Sequence, residues 1–532
     1  MQSPFIKPPA NHTEALAPAN IISWLTRLPP RVLDAVSLMA GATMPLAFAP
    51  FNWLPLAIIM PTLLFAIWLL GSAARAAWRG FLFGLGMFGV GVSWVYVSLH
   101  NYGNMPVVLA SFVVLLFVVA LAAFPALAGW LQGRFTRRHD AVHLGVVVPG
   151  LWVLCEWLRG WILTGFPWLD LGYSQIDTPL MGFAPLLGIY GVSWAVAVSA
   201  GLLVCALRDP LDLWKRYLPA LIVLWGAAWL ASTVAWTRPV GTALQVALVQ
   251  ADVPLEIKWR PNYRRAILER YLDLSNSVRG VALIVWPEAA MPGYLDEIDP
   301  DYLALLRRRA QADGSDFLIG VIERDREQGA FYNSVVSIGT SPGIYRKQHL
   351  VPLGEFLPFK SILGWLLNYL QIPMSDFSRG APDQPLMRAA GQRIGVSVCY
   401  EDAFGEEVIR QLPTATVLVN VSEDAWFGDS LAPHQRLQMA RMRAVETGRP
   451  MLRAANTGLS AVIDANGKLV ALSPQFQPFV LKHEVQPMQG ATPYVRVGNV
   501  AVVSINALLL ALTWGYAERF RGRSHMDKTP AS

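Results

Sequence analysis

Three side chains of this 532-residue chain are of types that together could do covalent chemistry. Glu288 ends the run ALIVWPE, Lys347 closes GIYRK, and Cys399 ends RIGVSVC. Each run reads as a strand, and open α/β sheets hold ligands at the carboxyl ends of their strands. A carboxylate, an ammonium and a thiol are the parts of a covalent acyl-transfer site. The thiol needs a base to become a thiolate. The tetrahedral intermediate needs a positive group or an N–H at its oxyanion. Spacing alone leaves a second reading open, in which a buried cysteine, a surface glutamate and a surface lysine never meet. The other two cysteines, Cys155 in GLWVLCEWL and Cys205 in GLLVCAL, lie in apolar runs and read as small buried hydrophobes. Cys399 stands alone in the most polar part of the chain, with no evident disulfide partner.

The elements that must position these groups are of two kinds. Hydrophobic residues make up 54% of the chain and charged residues only 15%, where a soluble domain carries about 25% charged. That deficit points to burial in a bilayer. The net charge of +6 is modest and comes with no Lys/Arg-rich run, so nucleic-acid binding is not expected. The opening MQSPFIKPPANHTEALAPAN lacks the charged-then-apolar pattern of a signal peptide.

A helix needs about 20 mostly apolar residues to span a bilayer. Such runs fall near 32–50, 52–71, 80–99, 106–132, 144–163, 182–207, 217–236 and 499–516. The first is interrupted by Pro45 and Pro50, and the fifth carries Glu156 and Arg159, which are costly in lipid unless paired or facing water. The loops after alternate spans are basic: Arg75 and Arg79; Arg134, Arg137 and Arg138; Arg208, Lys215 and Arg216; Arg519, Arg521 and Arg523. The intervening loops PFNW and HNYGNM carry no positive charge. Basic loops stay cytoplasmic, so both termini are expected inside and the segment between spans seven and eight outside. The expected organisation is a cytoplasmic segment 1–31, a seven-helix region 32–236, an outside domain 240–490, a final span 499–516 and a cytoplasmic tail 517–532. Gly84-Leu85-Gly86-Met87-Phe88-Gly89 matches a dinucleotide fingerprint, but it lies inside an apolar span rather than between a strand and a helix. Small residues there predict close helix packing.

The outside segment alternates strand-like runs (LQVALVQ, ALIVWPE, DFLIGVIE, NSVVSIG, RIGVSVCYE, TVLVNVSED, PMLRAANTG, SAVID) with helical patterns such as Pro261–Val278 and His434–Thr447. This alternation predicts an α/β domain built on buried sheets.

Four segments of that domain, WPEAAMPGY, YRKQHLVPLGEFLP, VCYEDAF and NVSEDAWFG, resemble the nitrilase superfamily, whose members use a Glu–Lys–Cys triad in an αββα sandwich. Set between seven apolar spans and a final one, they resemble its membrane-embedded branch, the apolipoprotein N-acyltransferase family. The resemblance implies Glu288 as general base, Lys347 as oxyanion stabiliser and Cys399 as nucleophile. It implies Glu355 as a supporting glutamate and Tyr400 and Glu401 at further positions needed for activity, while Trp259, in IKWRP, matches a family tryptophan in the loop after the first strand. Trp259 and Trp426 are equally readable as substrate contacts, packing or bilayer-edge anchors. Asp402, Ala403 and Glu423 are positions where variation is expected, and His434 reads as a helix-surface residue.

The reaction implied is acyl transfer from a membrane phospholipid, through a Cys399 thioester, to the α-amine of the diacylglyceryl-cysteine that begins an apolipoprotein. No metal or dissociable cofactor is implied. A bacterial inner-membrane location, a periplasmic catalytic domain and a monomer are expected. The apolar stretch 361–373, SILGWLLNYLQIP, reads as an interfacial lid that admits acyl chains. The alternative function is a membrane-anchored nitrilase-type amidase acting on a small amide, for which the triad would be identical. A scaffold with a decayed site and a channel are further readings, opposed by the intact motifs and by the few charges in the spans.

Overall fold

The computed structural model describes residues 23–135, 140–356 and 376–526. The segment 361–373 therefore lies outside the described residues. The amino-terminal half is helical: α1 (Pro30–Thr43), α2 (Leu56–Trp68), α3 (Ala73–Gly91), α4 (Val107–Gln132), α5 (Asp140–Arg159), α6 (Pro179–Arg208) and α7 (Leu218–Ser232). Among the described residues α4, α5 and α6 are each long and apolar enough to cross a membrane. Helix α3 and the short helix Trp94–Tyr102, bent by 50°, make a fourth span if read as one. The expected spans at 32–50, 52–71 and 217–236 are helices of 14, 13 and 15 residues. Pro45 falls in a 3-10 turn, Met44–Ala47, that ends the first.

The glycines of the 84–89 run pack helices. A Cβ on Gly84 would lie 2.7 Å from Cα of Ala122 in α4, and one on Gly86 would lie 2.2 Å from the Leu38 carbonyl in α1. Two glycines on two faces of α3 thus let two neighbours approach at backbone distance. The buried charges of α5 are also paired. Glu156 accepts from the Trp152 indole and the Leu171 amide, both at 2.9 Å, and Arg159 bonds Asp170 at 2.5 Å.

The described residues of the second half hold fourteen strands: β1 (Thr237–Pro239), β2 (Leu244–Gln250), β3 (Leu283–Tyr294), β4 (Asp316–Asp325), β5 (Ala330–Ile338), β6 (Gly343–Arg346), β7 (Met387–Ala389), β8 (Gln392–Val398), β9 (Val417–Ser422), β10 (Met451–Ala455), β11 (Ala461–Ile463), β12 (Leu469–Leu472), β13 (Phe479–Val485) and β14 (Met488–Gly490). They form two six-stranded sheets, ordered β13-β2-β3-β4-β5-β6 and β12-β11-β10-β9-β8-β7, while β1 pairs with β14. The centre of each sheet is parallel, β2-β3-β4 in one and β8-β9-β10 in the other. Such strands are buried on both faces and read as continuous apolar runs, which is why most of these strands were legible. The edge strand β13, FVLKHEV, is exposed or half-buried over most of its length and carries Lys482, His483 and Glu484 in a row, so neither a continuous apolar run nor an alternation marks it in the sequence.

The two sheets face each other across a core that includes Leu248, Val285, Val396, Val419 and Leu452. Helices α8 (Arg264–Asn276) and α9 (Pro300–Asp313) cover the outer face of the first sheet. Helix α10 (Leu431–Thr447) covers the second through Leu437, Ala440 and Ala444. This is an αββα sandwich. The far side of α10 does not meet water. Met439, Met442 and Val445 join the core of the amino-terminal helices. The last helix, α11 (Val500–Met526), runs beside α5.

The hinge of the bent span is bonded to α10. Gln435 donates to the Gly91 carbonyl at 3.1 Å and accepts the indoles of Trp94 at 3.3 Å and Trp168 at 2.7 Å.

Candidate active site

Glu288 leaves the ladder of β3 at an irregularity. From Trp286 to Met291 the strand runs opposite only Ile319 to Val321 of β4. Ala289, next to Glu288, has a φ of 45° in the left-handed region. Such a bulge re-aims a side chain, and the 7% exposed Glu288 points into the gap between the loops. One of its oxygens accepts the Asn333 side-chain amide at 2.7 Å and the other the backbone N–H of Glu423 at 2.8 Å.

Lys347 follows β6 directly and is 1% exposed. Its Nζ donates to Glu355 at 2.8 Å and lies 3.9 Å from Glu288. Asn333 bridges the two carboxylates, since its amide also donates to Glu355 at 2.9 Å. Glu355 accepts the Val351 N–H at 2.8 Å as well, which shapes its own turn. Burial disfavours the charged Lys347, but Glu355, then Glu288 and Cys399, outweigh it and hold the ammonium above the ordinary lysine range.

Cys399 opens the 3-10 turn Cys399–Ala403 at the end of β8, with a φ of 52°. A non-glycine residue held there costs about 1–3 kcal/mol and persists only where its surroundings fix it. Glu401 supplies much of that fixing. Its carboxylate accepts the N–H groups of Val398 at 2.7 Å, Gln348 at 2.6 Å and His349 at 3.0 Å, and the Tyr345 hydroxyl at 3.1 Å. It clasps the cysteine turn to the lysine loop. Burial still dominates and pushes the Glu401 carboxyl up to about 7, against the pull of those N–H groups.

The Cys399 sulfur sits in the field of both other candidates. Burial pushes its thiol up to about 12 with Glu288 adding to the rise, while Arg436 and Lys347 oppose it. A thiol so placed rests protonated at neutral pH and reacts only by handing its proton to a base.

Tyr400 is tied to the amino-terminal helices, its hydroxyl donating to the Gly165 carbonyl at 2.7 Å. Trp259 lies beside Lys258, whose Nζ is 5.8 Å from the indole centre. Trp426 faces Tyr102 edge-on, 6.3 Å between ring centres, and its carbonyl accepts the Ser98 hydroxyl at 2.8 Å. Trp426 therefore belongs to the seam between the two halves. His434 is half-buried on α10, where burial lowers its pKa.

Several groups here were not singled out from sequence. Lys258, buried, pairs with Glu423 and donates to the Glu288 carbonyl at 3.1 Å. Glu423, a position where variation is expected, thus holds Glu288 through its backbone N–H and, by way of Lys258, through its side chain. Behind Cys399 lies a buried quartet of Asp402, Asp424, Arg436 and Arg453. Asp402, Glu423 and Asp424 stand inside the quoted motifs, a signal that was available. Asn333, Arg436 and Arg453 carry no local mark.

An αββα sandwich that buries a carboxylate, an ammonium and a thiol in one electrostatic neighbourhood holds the groups that an acyl-transfer site needs. Sequence comparison agrees. Residues 40–202 match the apolipoprotein N-acyltransferase N-terminal domain, and residues 245–494 match the carbon-nitrogen hydrolase family. An apolipoprotein N-acyltransferase of Methylococcus capsulatus is 45% identical over 490 residues, 92% of this chain and 97% of that protein. One of Nitrosomonas europaea is 44% identical over 479 residues, 90% of this chain and 95% of that protein. Among solved structures, Saccharomyces cerevisiae Nit3, a member of branch 10 of the nitrilase superfamily, aligns with TM-score 0.36 and 17% identity over 48% of this chain and 93% of its own. The chain belongs to the apolipoprotein N-acyltransferase family, and it is an acyltransferase.

Proposed function

We propose that the enzyme moves an acyl chain from a membrane phospholipid to the α-amine of the diacylglyceryl-cysteine that begins an apolipoprotein, by way of a thioester on Cys399. The observation that carries the reading is the buried Glu288–Lys347 pair, 3.9 Å apart, which Glu401 ties to the Cys399 turn through the Gln348 N–H at 2.6 Å, in a chain whose relatives are named apolipoprotein N-acyltransferases. Cys399 attacks the ester carbonyl and Glu288 accepts the thiol proton. Lys347 stabilises the oxyanion, in the manner of a preorganised donor. The ester C–O bond breaks, the proton passes from Glu288 to the departing alkoxide, and a lysophospholipid leaves. The amine then attacks the thioester. Glu288 takes a proton from the amine, the C–S bond breaks, and Glu288 returns that proton to the departing sulfur, which restores the thiol.

Each supporting residue has a place in this scheme. Glu355 and Asn333 keep Lys347 beside Glu288. Glu401 holds the nucleophile turn, Tyr400 and Trp426 dock the site on the helices, and Trp259 stands beside Lys258, which bonds the Glu288 carbonyl. The enzyme is placed as a multi-pass monomer in a bacterial inner membrane, with eight spans over 32–236 and 499–516 and the catalytic domain 240–490 in the periplasm. The basic loops after alternate apolar runs support that orientation. Nucleic acid has no part in it, and the two-step scheme needs neither metal nor cofactor.

The test is intact-protein mass spectrometry of the detergent-purified full chain incubated with phospholipid and no acceptor. The expected result is a gain of one acyl mass that hydroxylamine removes and that Cys399→Ala lacks. A folded, lipid-bound protein with no adduct, but with ammonia released from small amides, would instead make it an amidase.

A further inference from the structure

The triad leaves the stabilisation of the sulfur anion incompletely explained. Lys347 is held by Glu355 at 2.8 Å and faces Glu288 at 3.9 Å, so its charge is largely answered by carboxylates. A different cation reaches the sulfur. Arg436, on α10 and 1% exposed, places Nη1 3.5 Å from the Cys399 Sγ. The guanidinium is fixed from behind. Nη1 shares its two hydrogens among the sulfur, Ser422 Oγ at 2.5 Å and Asp424 at 2.6 Å, and Nη2 lies 3.5 Å from Asp402. Arg453 in turn bonds Asp424 at 2.9 Å and Asp402 at 3.1 Å, so neither aspartate is free to draw Arg436 away from the sulfur. The preceding residue, Gln435, anchors the same turn of the helix to the Gly91 carbonyl at 3.1 Å.

We propose that Arg436 is a fourth catalytic residue, which donates a charge-assisted hydrogen bond to the Cys399 sulfur whenever that sulfur carries negative charge. This rests on the thioester reading above. It acts in both half-reactions: when Glu288 takes the thiol proton and the S–C bond forms, and when the amine displaces the sulfur and the S–C bond breaks. The second use makes the thiolate a better leaving group. The charged groups facing the sulfur are Glu288 from β3, Lys347 from the loop after β6, Arg436 from α10 and Asp424 from the turn after β9. Arg436 alone among them is a cation with a direct donor contact to the sulfur. A buried donor aimed at developing charge is typically worth about 10²–10³ in rate.

The experiment follows acyl-adduct formation on the full-length detergent-purified enzyme, with a phosphatidylethanolamine vesicle as donor, from pH 5 to 10. Wild type is compared with Arg436→Gln and Arg436→Lys. Arg436→Gln is expected to form adduct roughly 100-fold more slowly at pH 7, to have its acid limb moved to higher pH, and to recover part of the loss near pH 10. Arg436→Lys, which keeps the charge, is expected to show a smaller shift. Alkylation of Cys399 by iodoacetamide should shift in parallel. A folded Arg436→Gln with an unmoved acid limb overturns the proposal, whether its rate is unchanged or uniformly lower, since a merely structural role lowers rate without moving the limb. If Arg436→Gln does not fold, Arg436→Lys decides alone on the same criterion. Failure of the underlying reading is recognised separately, by wild-type turnover that survives in Cys399→Ala.

Discussion

The Tyr400 hydroxyl donates to the Gly165 carbonyl at 2.7 Å, joining the residue after the nucleophile to the loop between α5 and α6. Both Gly165 and Gly428, which closes the turn bearing Trp426, have positive φ, 85° and 55°. The turn that carries Cys399 is therefore tied to backbone of the amino-terminal half as well as to its own domain. Tyr400→Phe keeps the ring, which packs edge-on against Phe404 at 4.9 Å, and orphans a buried carbonyl. The expected cost is about 1–3 kcal/mol, read as a lower unfolding midpoint in detergent, together with a several-fold slower acyl transfer.

The Asn333 side-chain amide donates to both Glu288 and Glu355. Asn333→Leu leaves each of these buried carboxylates one donor short. Adduct formation in single-turnover mass spectrometry should fall at least about tenfold, the equivalent of about 1.4 kcal/mol in the barrier. Asn333→Asp should be worse, because it sets a third carboxylate against the pair.

Lys258 and Glu423 form a buried ion pair under the Glu288 loop. Lys258→Met leaves Glu423 charged and unpaired, a change that typically costs about 3–5 kcal/mol. Lys258→Met combined with Glu423→Gln should recover much of the lost unfolding midpoint but not full activity, since Lys258 also bonds the Glu288 carbonyl.

Glu401 gives a pH signature. Its folded pKa, about 7, lies above the roughly 4.3 of a free glutamate. A raised carboxyl binds its proton more tightly in the folded state. Its contribution to stability is complete below about pH 4, declines as pH rises, and is lost above about pH 7. The midpoint of wild type minus that of Glu401→Gln, which is uncharged throughout, should therefore fall between pH 4.5 and 7.5 and then level off. A flat difference over that window would show that the four donors around Glu401 outweigh its burial.

Gln435 closes the hinge at Gly91. Gln435→Leu removes a donor and an acceptor shared by one carbonyl and two indoles, all buried. A cost of about 1–3 kcal/mol for each group left unsatisfied is expected. Because Arg436 is its neighbour, adduct formation should slow along with the loss of stability.

Much of the site was legible from sequence because its chemistry sits at strand ends. ALIVWPE, GIYRK and RIGVSVC each announce a buried strand by a run of apolar residues and then present a polar group where the strand stops. Glu355 and Glu401 were legible through the same motifs. Lys258, Asn333, Arg436 and Arg453 were not, because each comes from an element whose residues look ordinary along the chain. Helix α10 is the clearest case. HQRLQMARMRAVET reads as a charged surface helix, yet Gln435, Arg436, Gln438, Arg443 and Glu446 are all buried.

The sequence by itself determined the apolar helices, the alternation of strands and helices, and the places of Glu288, Lys347 and Cys399 at strand ends. Those follow from hydropathy and local periodicity, which act between near neighbours in the chain. Tertiary structure alone decided that α10 lies between a sheet and a helical bundle, so that its polar residues must satisfy one another and the backbone around them. Burial removes water as a partner, and an unpaired polar group there costs several kcal/mol. That requirement brings Arg436 to Asp424 and, through it, to the Cys399 sulfur, a meeting of residues 37 apart in sequence that no local pattern encodes.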